Sequence, residues 1–276
     1  MPMNIRRGKN LPGASSMAAK PTASPEPTRR FSDRVENYIR FRPSYPAGVF
    51  VALREHAGLG PGGVVADVGS GTGIFAQLLL PHCARVFGVE PNDAMRAAAE
   101  QLLAGAANFT SRPGTAEATG LPDASVDLVT AAQAFHWFVG PACRREFARI
   151  LRPGGGVALV WNERLADATP FLAGYEALLR RHATDYDQVN HVNIEPAALA
   201  AFFGPAGMTT LEFPNAQDFD LAGLQGRLLS SSYAPNAGQP GHEAMMAELN
   251  ELHARNQQHG RVSFLYTTKL HFGRLT

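Results

Sequence analysis

An aspartate followed by three alternating glycines is the stretch of this chain best suited to ligand chemistry. These residues are Asp67, Gly69, Gly71 and Gly73. The run before the glycines, 64–68, is short, apolar and β-branched, which predicts a buried strand of a parallel sheet. Glycines after such a strand allow a sharp turn and let a ligand approach bare backbone. Apolar residues at helical spacing follow from Ile74, so the sequence predicts the strand–turn–helix unit of a nucleotide-binding α/β fold.

Asp67 indicates which nucleotide this unit would hold. The spacing Gly71-x-Gly73-x-x-Ala76 satisfies the dinucleotide pattern, so spacing alone leaves a nicotinamide-dependent oxidoreductase open. A carboxylate at the strand end, however, would repel a pyrophosphate seated at the N-terminus of the helix. It suits a ligand that is positively charged at this point. S-adenosylmethionine is such a ligand, because it carries an ammonium and a sulfonium group and no phosphate.

Glu90 is a second carboxylate at the end of a predicted strand, here 86–89. It lies 17 positions beyond Gly73 (73 to 90), close to the offset of about 20 residues at which an acidic residue binds ribose hydroxyls. One carboxylate can accept hydrogen bonds from both hydroxyls, so we expect Glu90 to bind the ribose. The alternative is a helix-capping or solvated glutamate.

Four segments, taken in order, resemble the motifs of class I S-adenosylmethionine-dependent methyltransferases. They are Asp-Val-Gly-Ser-Gly-Thr-Gly (67–73), Gly-Val-Glu-Pro-Asn (88–92), Leu-Pro-Asp-Ala-Ser-Val-Asp-Leu-Val (121–129) and Leu-Arg-Pro-Gly-Gly-Gly (151–156). The resemblance covers residues 31–162 and rests on order and spacing rather than on one motif. Arg-Phe-Arg-Pro-Ser-Tyr-Pro (40–46) and Phe-His-Trp-Phe (135–138) also resemble the small-molecule branch that includes trans-aconitate methyltransferase-like proteins.

The resemblance implies further cofactor-binding residues. In that family the N-terminal segment covers the cofactor, which would place Tyr38 and Arg42 in the pocket, Tyr38 as a substrate residue and Arg42 facing a carboxylate of cofactor or substrate. The backbone of Ala116 and the side chain of Glu117 would meet the adenine amine. The alternatives are an exposed helix with one snorkelling arginine and a solvated loop glutamate.

A helix is predicted to begin at Pro91-Asn92, where we expect Pro91 to contact the cofactor. Met95 in its first turn is expected to lie against the adenine face or in the core. Beyond the predicted fourth strand, 126–130, the chain reaches the side on which open α/β sheets bind ligands. We expect Gln133 to contact the cofactor there.

His136 and Trp137 follow closely, and they are the candidates for the reaction centre. Histidine titrates near neutral pH, so His136 is the candidate general base, with Trp137 facing the substrate. The alternative is that both residues only shape the pocket wall. Asn162, after the predicted fifth strand, and Tyr233 are further substrate candidates, although a helix end and loop explain Tyr233 equally well.

The whole pattern predicts an α/β fold: a Rossmann-like sheet of seven mostly parallel strands, with helices on both faces and an antiparallel final strand. The remaining strands are predicted at 107–111, 157–161, 208–213 and 262–272. Residues 1–28 are rich in Pro, Ala, Ser and Gly without apolar periodicity, so we expect a disordered extension. Residues 29–276 are expected to form one domain, with substrate-covering elements at 31–56 and 163–205.

Composition restricts the partners of the chain. Its 276 residues are 45% hydrophobic and 18% charged, as in an ordinary globular protein. The chain has 25 basic and 24 acidic side chains, and its first 30 residues hold six of the basic and one of the acidic ones. Residues 31–276 therefore hold 19 basic and 23 acidic side chains, a net charge of about −4. That sign is a poor match for nucleic acid.

No apolar run reaches the roughly 18 residues of a membrane helix. We therefore expect a small-molecule substrate, no nucleic-acid partner and no membrane partner. The sequence does not decide the oligomeric state.

Cys83 and Cys143 are predicted to be buried free thiols in a reducing, cytoplasmic compartment. The histidines and cysteines show no metal-ligand spacing, so no metal is expected.

The sequence thus predicts a methyltransferase that uses S-adenosylmethionine and methylates an oxygen or nitrogen of a small molecule, whether a carboxylate, a hydroxyl or a heterocycle. Two alternatives stay open at this point. One is the nicotinamide-dependent oxidoreductase, which Asp67 disfavours. The other is a protein that binds S-adenosylmethionine without catalysis.

Overall fold

The computed structural model describes residues 35–183, 186, 196–231 and 233–275. The predicted extension 1–28 and the predicted helix start at 31–34 lie outside these residues. The side chain of Tyr38 and most of 184–195 in the predicted cover are outside them as well.

Seven strands form one sheet in the order β3-β2-β1-β4-β5-β7-β6. Their bounds are β1 Val64–Val68, β2 Arg85–Val89, β3 Phe109–Arg112, β4 Val126–Ala132, β5 Leu151–Arg164, β6 Met208–Phe219 and β7 Val262–Gly273. The first five strands in this order are parallel, and β7 runs antiparallel between β5 and β6. This confirms the predicted fold class.

Nine helices of the described part surround the sheet. They are α1 Val35–Phe41, α2 Ala47–His56, α3 Ile74–Leu79, α4 Asp93–Leu102, α5 Pro141–Ile150, α6 Pro170–His182, α7 Pro196–Phe203, α8 Leu221–Leu229 and α9 His242–Asn256. Short 3₁₀ turns lie at Leu80–His82, Phe135–Trp137 and Gly204–Ala206. None of the described helices is long and apolar enough to cross a membrane.

The core forms on both faces of the sheet because the central strands are apolar on both sides. In β1, Val65, Ala66 and Val68 are all buried, as expected for a parallel strand between two layers of helices. A third apolar cluster lies where α6, α8 and α9 pack against the far ends of β6 and β7. Cys83 and Cys143 are buried and free, as predicted.

β1 pairs with β2 on one side and with β4 on the other. The order of strands in the sheet therefore reverses at β1: β2 and β3 lie on one side of it, and β4 and β5 on the other. Parallel sheets bind ligands in the crevice outside the carboxyl ends of two such strands. The glycine turn after β1 and Gln133 after β4 therefore open onto the same crevice.

Three strand predictions were too short or shifted. β3 begins at Phe109 rather than 107, because residues 103–109 form turns closed by two backbone hydrogen bonds, from Ala106 N to Leu103 O and from Phe109 N to Ala106 O. β6 continues to Phe219 because it pairs with β7 along its whole length. β5 extends from Leu151 to Arg164, so its last residues stand beyond the neighbouring strand β4.

Candidate functional site: a cleft at the carboxyl ends of β1 and β4

The glycine turn brings the backbone to the floor of the cleft. Gly69 has a φ of +70°, and a Cβ there would lie 2.6 Å from the Cβ of Ala134. Its N–H donates to Val89 O at 2.8 Å, which fixes the turn against the end of β2. Gly73 caps α3 with a φ of +84°. Side chains are thus excluded by both conformation and space, as the sequence pattern predicted.

Asp67 is a buried carboxylate at the end of β1, with 1% of its surface exposed. Its Oδ1 accepts a hydrogen bond from Thr130 Oγ1 at 2.8 Å. Its Oδ2 is buried and has no hydrogen-bond partner among the described residues. Burial raises the pKa of this carboxyl to about 7, and the nearby charge of Glu90 adds to the shift. A cation placed beside Oδ2 would relieve both effects.

Glu90 joins the glycine turn to the start of α4. Its Oε2 accepts from Gly71 N and its Oε1 from Asn92 N, each at 2.9 Å. Burial raises its pKa, and these two backbone bonds oppose that rise. The helix cap is Asn92, whose side chain accepts from Met95 N at 3.0 Å. The glutamate therefore does not cap α4 itself, and its contact with ribose stays a prediction.

Residues of three regions line the cleft. They are Arg42, Pro43 and Tyr45 before α2, Asp67, Gly69, Ser70, Gly71, Thr72, Ile74 and Phe75 around the glycine turn, and Ala132 and Gln133 after β4. The cleft measures about 450 Å³, a volume that includes its open mouth. Met95 is buried, and its Sδ lies 3.7 Å from the place a Cβ on Gly71 would occupy. Pro91 is exposed and precedes the capping Asn92.

Gln133 adopts a left-handed conformation, with a φ of +55°. A residue other than glycine in this region is uncommon and marks a place where the surroundings hold the backbone. Its N–H donates to Val160 O at 2.8 Å and its Nε2 to Asn162 O at 3.2 Å. These bonds aim the side chain along the rim of the cleft toward β5.

The amide of Asn162 holds other parts of the chain together. Its Nδ2 donates to Ser44 O at 3.2 Å, and its Oδ1 accepts from Asn215 and Thr268. Asn215 Nδ2 also donates to Ser44 O, at 2.8 Å. The network ties the segment before α2 to β5, β6 and β7. It gives Asn162 a positioning role, and its predicted contact with substrate gains no support from these bonds.

His136 and Trp137 lie in the 3₁₀ turn after β4. The two rings are 4.8 Å apart and tilted by 42°; His136 is half-buried and Trp137 is 39% exposed. Neither is among the residues that line the described cleft. Their predicted roles as base and substrate contact thus remain predictions, and the placement favours the alternative that they form a wall.

The predicted adenine loop is clamped to α5. Ala116 is buried and Glu117 exposed, in a tight turn closed by Thr115 and Ala118. Glu146 Oε1 accepts from Thr119 N at 2.8 Å and from Thr119 Oγ1 at 2.6 Å. Hydrogen bonds from Arg149 and Thr119 lower the pKa of Glu146 to about 2. Sequence reasoning missed this clamp because its partners are 27 positions apart.

Of the remaining predicted residues, Arg42 lines the cleft and donates from Nη2 to Ser230 O at 3.1 Å. Tyr233 is half-buried, with its ring 5.0 Å from that of Tyr186 at the edge. Tyr38 lies in α1, and its side chain is outside the described residues. Sequence reasoning also missed Thr130, whose only signal is the register that sets it opposite Asp67.

The cleft fits S-adenosylmethionine on the evidence of its own atoms. Asp67 Oδ2 and the buried Thr72 Oγ1 have no partner in the described part of the chain. An ammonium group brings three donors and a positive charge to such acceptors. The glycine backbone leaves room beside them, and Glu90 and Met95 stand at the far side of the turn.

Comparisons with known proteins point the same way. A family model described as a methyltransferase domain (type 11) matches residues 66–159. An uncharacterized methyltransferase-like protein of Schizosaccharomyces pombe is 28% identical over 225 residues, which is 81% of this chain and 86% of the relative. An uncharacterized methyltransferase of Mycobacterium bovis is 40% identical over 138 residues, or 49% of this chain; the match spans about half, 52%, of that relative.

Among solved structures, a proposed type II methyltransferase from Anaeromyxobacter dehalogenans superposes with a TM-score of 0.62 at 25% identity. The superposition covers 85% of this chain and 98% of the other. The likeness therefore extends beyond the matched domain, into the strands and helices that follow β5.

Proposed function

We propose that this chain, which is similar to S-adenosylmethionine-dependent methyltransferases, methylates an oxygen or nitrogen of a small molecule. S-adenosylmethionine is its cofactor. When bound, this cofactor supplies a methyl group already activated on a sulfonium, which leaves by in-line displacement. The protein's task is then to orient the acceptor about 3 Å from that carbon and to exclude water.

The single observation that carries the proposal is the buried Asp67 Oδ2, which has no hydrogen-bond partner among the described residues. A carboxylate at this depth is costly unless a cation pairs with it. Thr130 holds the group in place through the other oxygen. Asp67 thus binds the cationic amino group of the cofactor, and the same charge disfavours a pyrophosphate at the start of α3.

Two features support a small acceptor. The cleft measures about 450 Å³ with its open mouth, and the segment before α2 that lines it is held by the Asn162–Ser44 bond. The body of the chain, residues 31–276, has a net charge of about −4 (19 against 23), which would repel a nucleic-acid backbone.

The need for a base depends on the acceptor atom. A carboxylate is ionised at neutral pH, so the protein need only hold it, and Arg42 at the cleft is suited to that task. A hydroxyl or protonated nitrogen requires proton removal, for which His136 is the candidate. The two cases separate in the pH dependence of turnover.

The test is calorimetric titration of the purified chain with S-adenosylmethionine, S-adenosylhomocysteine and NAD, followed by transfer of a labelled methyl group to a panel of carboxylic acids, phenols and heterocycles. We expect the first two ligands to bind and NAD not to bind. Label in at least one small acceptor supports the proposal. Cofactor binding with label in no small molecule would contradict it and favour a binding protein.

A further inference from the structure

Two arginines of the described part are buried beside a group of tyrosines at the end of β5. We name this group the arginine–tyrosine cluster. Its members are Arg164, Arg227, Tyr175, Tyr186, Tyr233 and Tyr266. Only Tyr233 among them was predicted from the sequence to face a substrate.

Arg227 is 6% exposed, and its polar contacts are all neutral. Its Nη1 donates to Ser231 Oγ at 3.2 Å and lies 3.4 Å from Ser230 Oγ. The Phe264 ring lies 5.8 Å from the guanidinium carbon. Its Nε is buried without a partner, and no carboxylate of the described residues forms an ion pair with it. A guanidinium cannot shed its charge near neutral pH, so this burial is uncompensated.

Arg164 is the second cation, and it has one acidic partner. Its Nη2 donates to Glu176 and, at 3.0 Å, to the Tyr186 hydroxyl. Its guanidinium stacks over the Tyr175 ring at 4.9 Å. Glu176 is shared, because Arg180 Nε also donates to it at 3.1 Å. Glu176 therefore pairs with Arg164, whereas the buried charge of Arg227 has no carboxylate beside it in the described part.

The cluster adjoins the cofactor cleft along β5. Asn162, whose carbonyl accepts from Gln133 at the cleft, is opposite Thr268 on β7, and Arg164 is opposite Tyr266 two residues further on. Residues two apart share a face of the sheet and lie roughly 7 Å apart.

Arg42 makes a second connection. It lines the cleft and donates to the carbonyl of Ser230, the residue whose hydroxyl lies beside Arg227. Arg42 and Ser230 thus connect the lining of the cleft to Arg227.

We propose that the arginine–tyrosine cluster binds a carboxylate of the methyl acceptor, with Arg227 as the principal contact. The inference rests on the proposed function, since it names the class of acceptor for the same site. A monoanion balances the buried charge of Arg227, and a planar carboxylate matches the two-pronged donor edge of a guanidinium. The hydroxyl of Ser231 adds a neutral donor, and the tyrosine rings form walls for the acceptor's apolar part.

The experiment measures binding of small acids to the full chain saturated with S-adenosylhomocysteine. The probes are benzoate, phenylacetate and glutarate, each beside its neutral amide. We expect at least one acid to bind tenfold or more tightly than its amide. Arg227→Gln should remove that preference and leave binding of S-adenosylhomocysteine within twofold of wild type. Arg255→Gln, which changes an exposed arginine of α9, should keep the preference.

Each other outcome has a defined meaning. If no acid binds more tightly than its amide, or if Arg227→Gln keeps the preference, the inference is wrong. If Arg227→Gln does not fold, the second variant is Arg227→Lys, which keeps the charge without the planar edge of the guanidinium. We expect Arg227→Lys to fold and to bind the acid several-fold more weakly than wild type. Unchanged acid binding in this variant would overturn the inference. Failure of the chain to bind S-adenosylhomocysteine would instead overturn the proposed function.

Discussion

The two ends of the active-site region carry opposite charges. At the cofactor end, Asp67 and Glu90 are buried carboxylates, and burial raises the pKa of both. At the acceptor end, Arg227 is a buried guanidinium with no carboxylate partner in the described part, and Arg164 shares Glu176 with Arg180. The molecule is thus preorganised for a cation at one end and an anion at the other, and each ligand supplies the charge that its end lacks.

The two ends also differ in how they are built. The cofactor end uses backbone atoms of one continuous turn, from Asp67 to Gly73, beside the strand ends next to it. The acceptor end collects side chains from β5, α6, α8 and β7, which are separated by up to about a hundred positions. Local geometry can be recognised in a sequence pattern, whereas long-range assembly depends on topology.

The largest effect is expected for Gly69→Ala, which disturbs the backbone turn of the cofactor end. The new Cβ would lie 2.6 Å from that of Ala134, at a φ of +70°. We expect the free energy of unfolding to fall by about 2–4 kcal/mol, and cofactor binding to be lost. Chemical denaturation measures the first. Gly105→Ala is the control, since nothing lies within 4 Å of its Cβ; an equal loss in both variants would contradict the account.

The pH dependence of cofactor binding sharpens the charge comparison. Asp67 has a pKa of about 7 in the folded chain, against an ordinary value of 3.8. A cationic ligand binds the ionised form, so affinity should fall as pH drops below 7, by up to about tenfold per pH unit. Binding near pH 6 should release a proton, which calorimetry in two buffers of different ionisation enthalpy detects. A flat affinity between pH 5 and 7 would refute the assignment.

The same shift affects the stability of the ligand-free chain. Between pH 4 and 7 the folded state keeps Asp67 protonated while the unfolded state ionises it. The contribution of this group to stability therefore decreases as pH rises through that window.

A smaller effect is expected for Glu146→Gln, which loosens the adenine loop without touching the cleft. The charge-assisted bonds from Thr119 and Arg149 weaken, so the free energy of unfolding should fall by about 2 kcal/mol. Cofactor affinity should decrease by about tenfold. Because the pKa of Glu146 is lowered to about 2, its contribution to stability is present above pH 4.5 and is lost as pH falls toward 2. Glu243→Gln, at an exposed site of α9, should change neither quantity.

The smallest effect is expected for His136→Ala. Because His136 is not among the residues lining the described cleft, and an anionic acceptor oxygen needs no base, turnover should fall only a few-fold. The pH profile should keep its shape. A loss of a hundredfold or more, with the profile flattened near neutral pH, would restore His136 as the general base.

Sequence reasoning predicted the fold class from several ordered segments, and it predicted the glycine turn and the two carboxylates because each is encoded within a few consecutive residues. It did not find Thr130 as the partner of Asp67, 63 positions away, or Glu146 as the anchor of the adenine loop. It did not find the bonds that tie the amide of Asn162 to Ser44, Asn215 and Thr268, and the substrate contact of Asn162 stays a prediction.

Arg227 shows most clearly why the acceptor end was not predicted. In the sequence it is an ordinary basic residue near the end of a helix, a position that favours an exposed cation. Only the packing of α8 against β7 buries it beside Phe264 and Tyr266. Burial, rather than residue type, makes it a candidate for ligand binding.

The most direct test of the opposite-charge account is one calorimetric comparison at pH 7.5, in which S-adenosylmethionine is titrated into wild type, Asp67→Asn and Arg227→Gln. We predict that Asp67→Asn weakens binding by about a hundredfold, as expected for loss of a buried charge-assisted contact, and that Arg227→Gln stays within twofold of wild type. Asp167→Asn, at an exposed position, serves as the matched control. Equal affinity in wild type and Asp67→Asn would contradict the account, and so would equal losses in Asp67→Asn and Arg227→Gln.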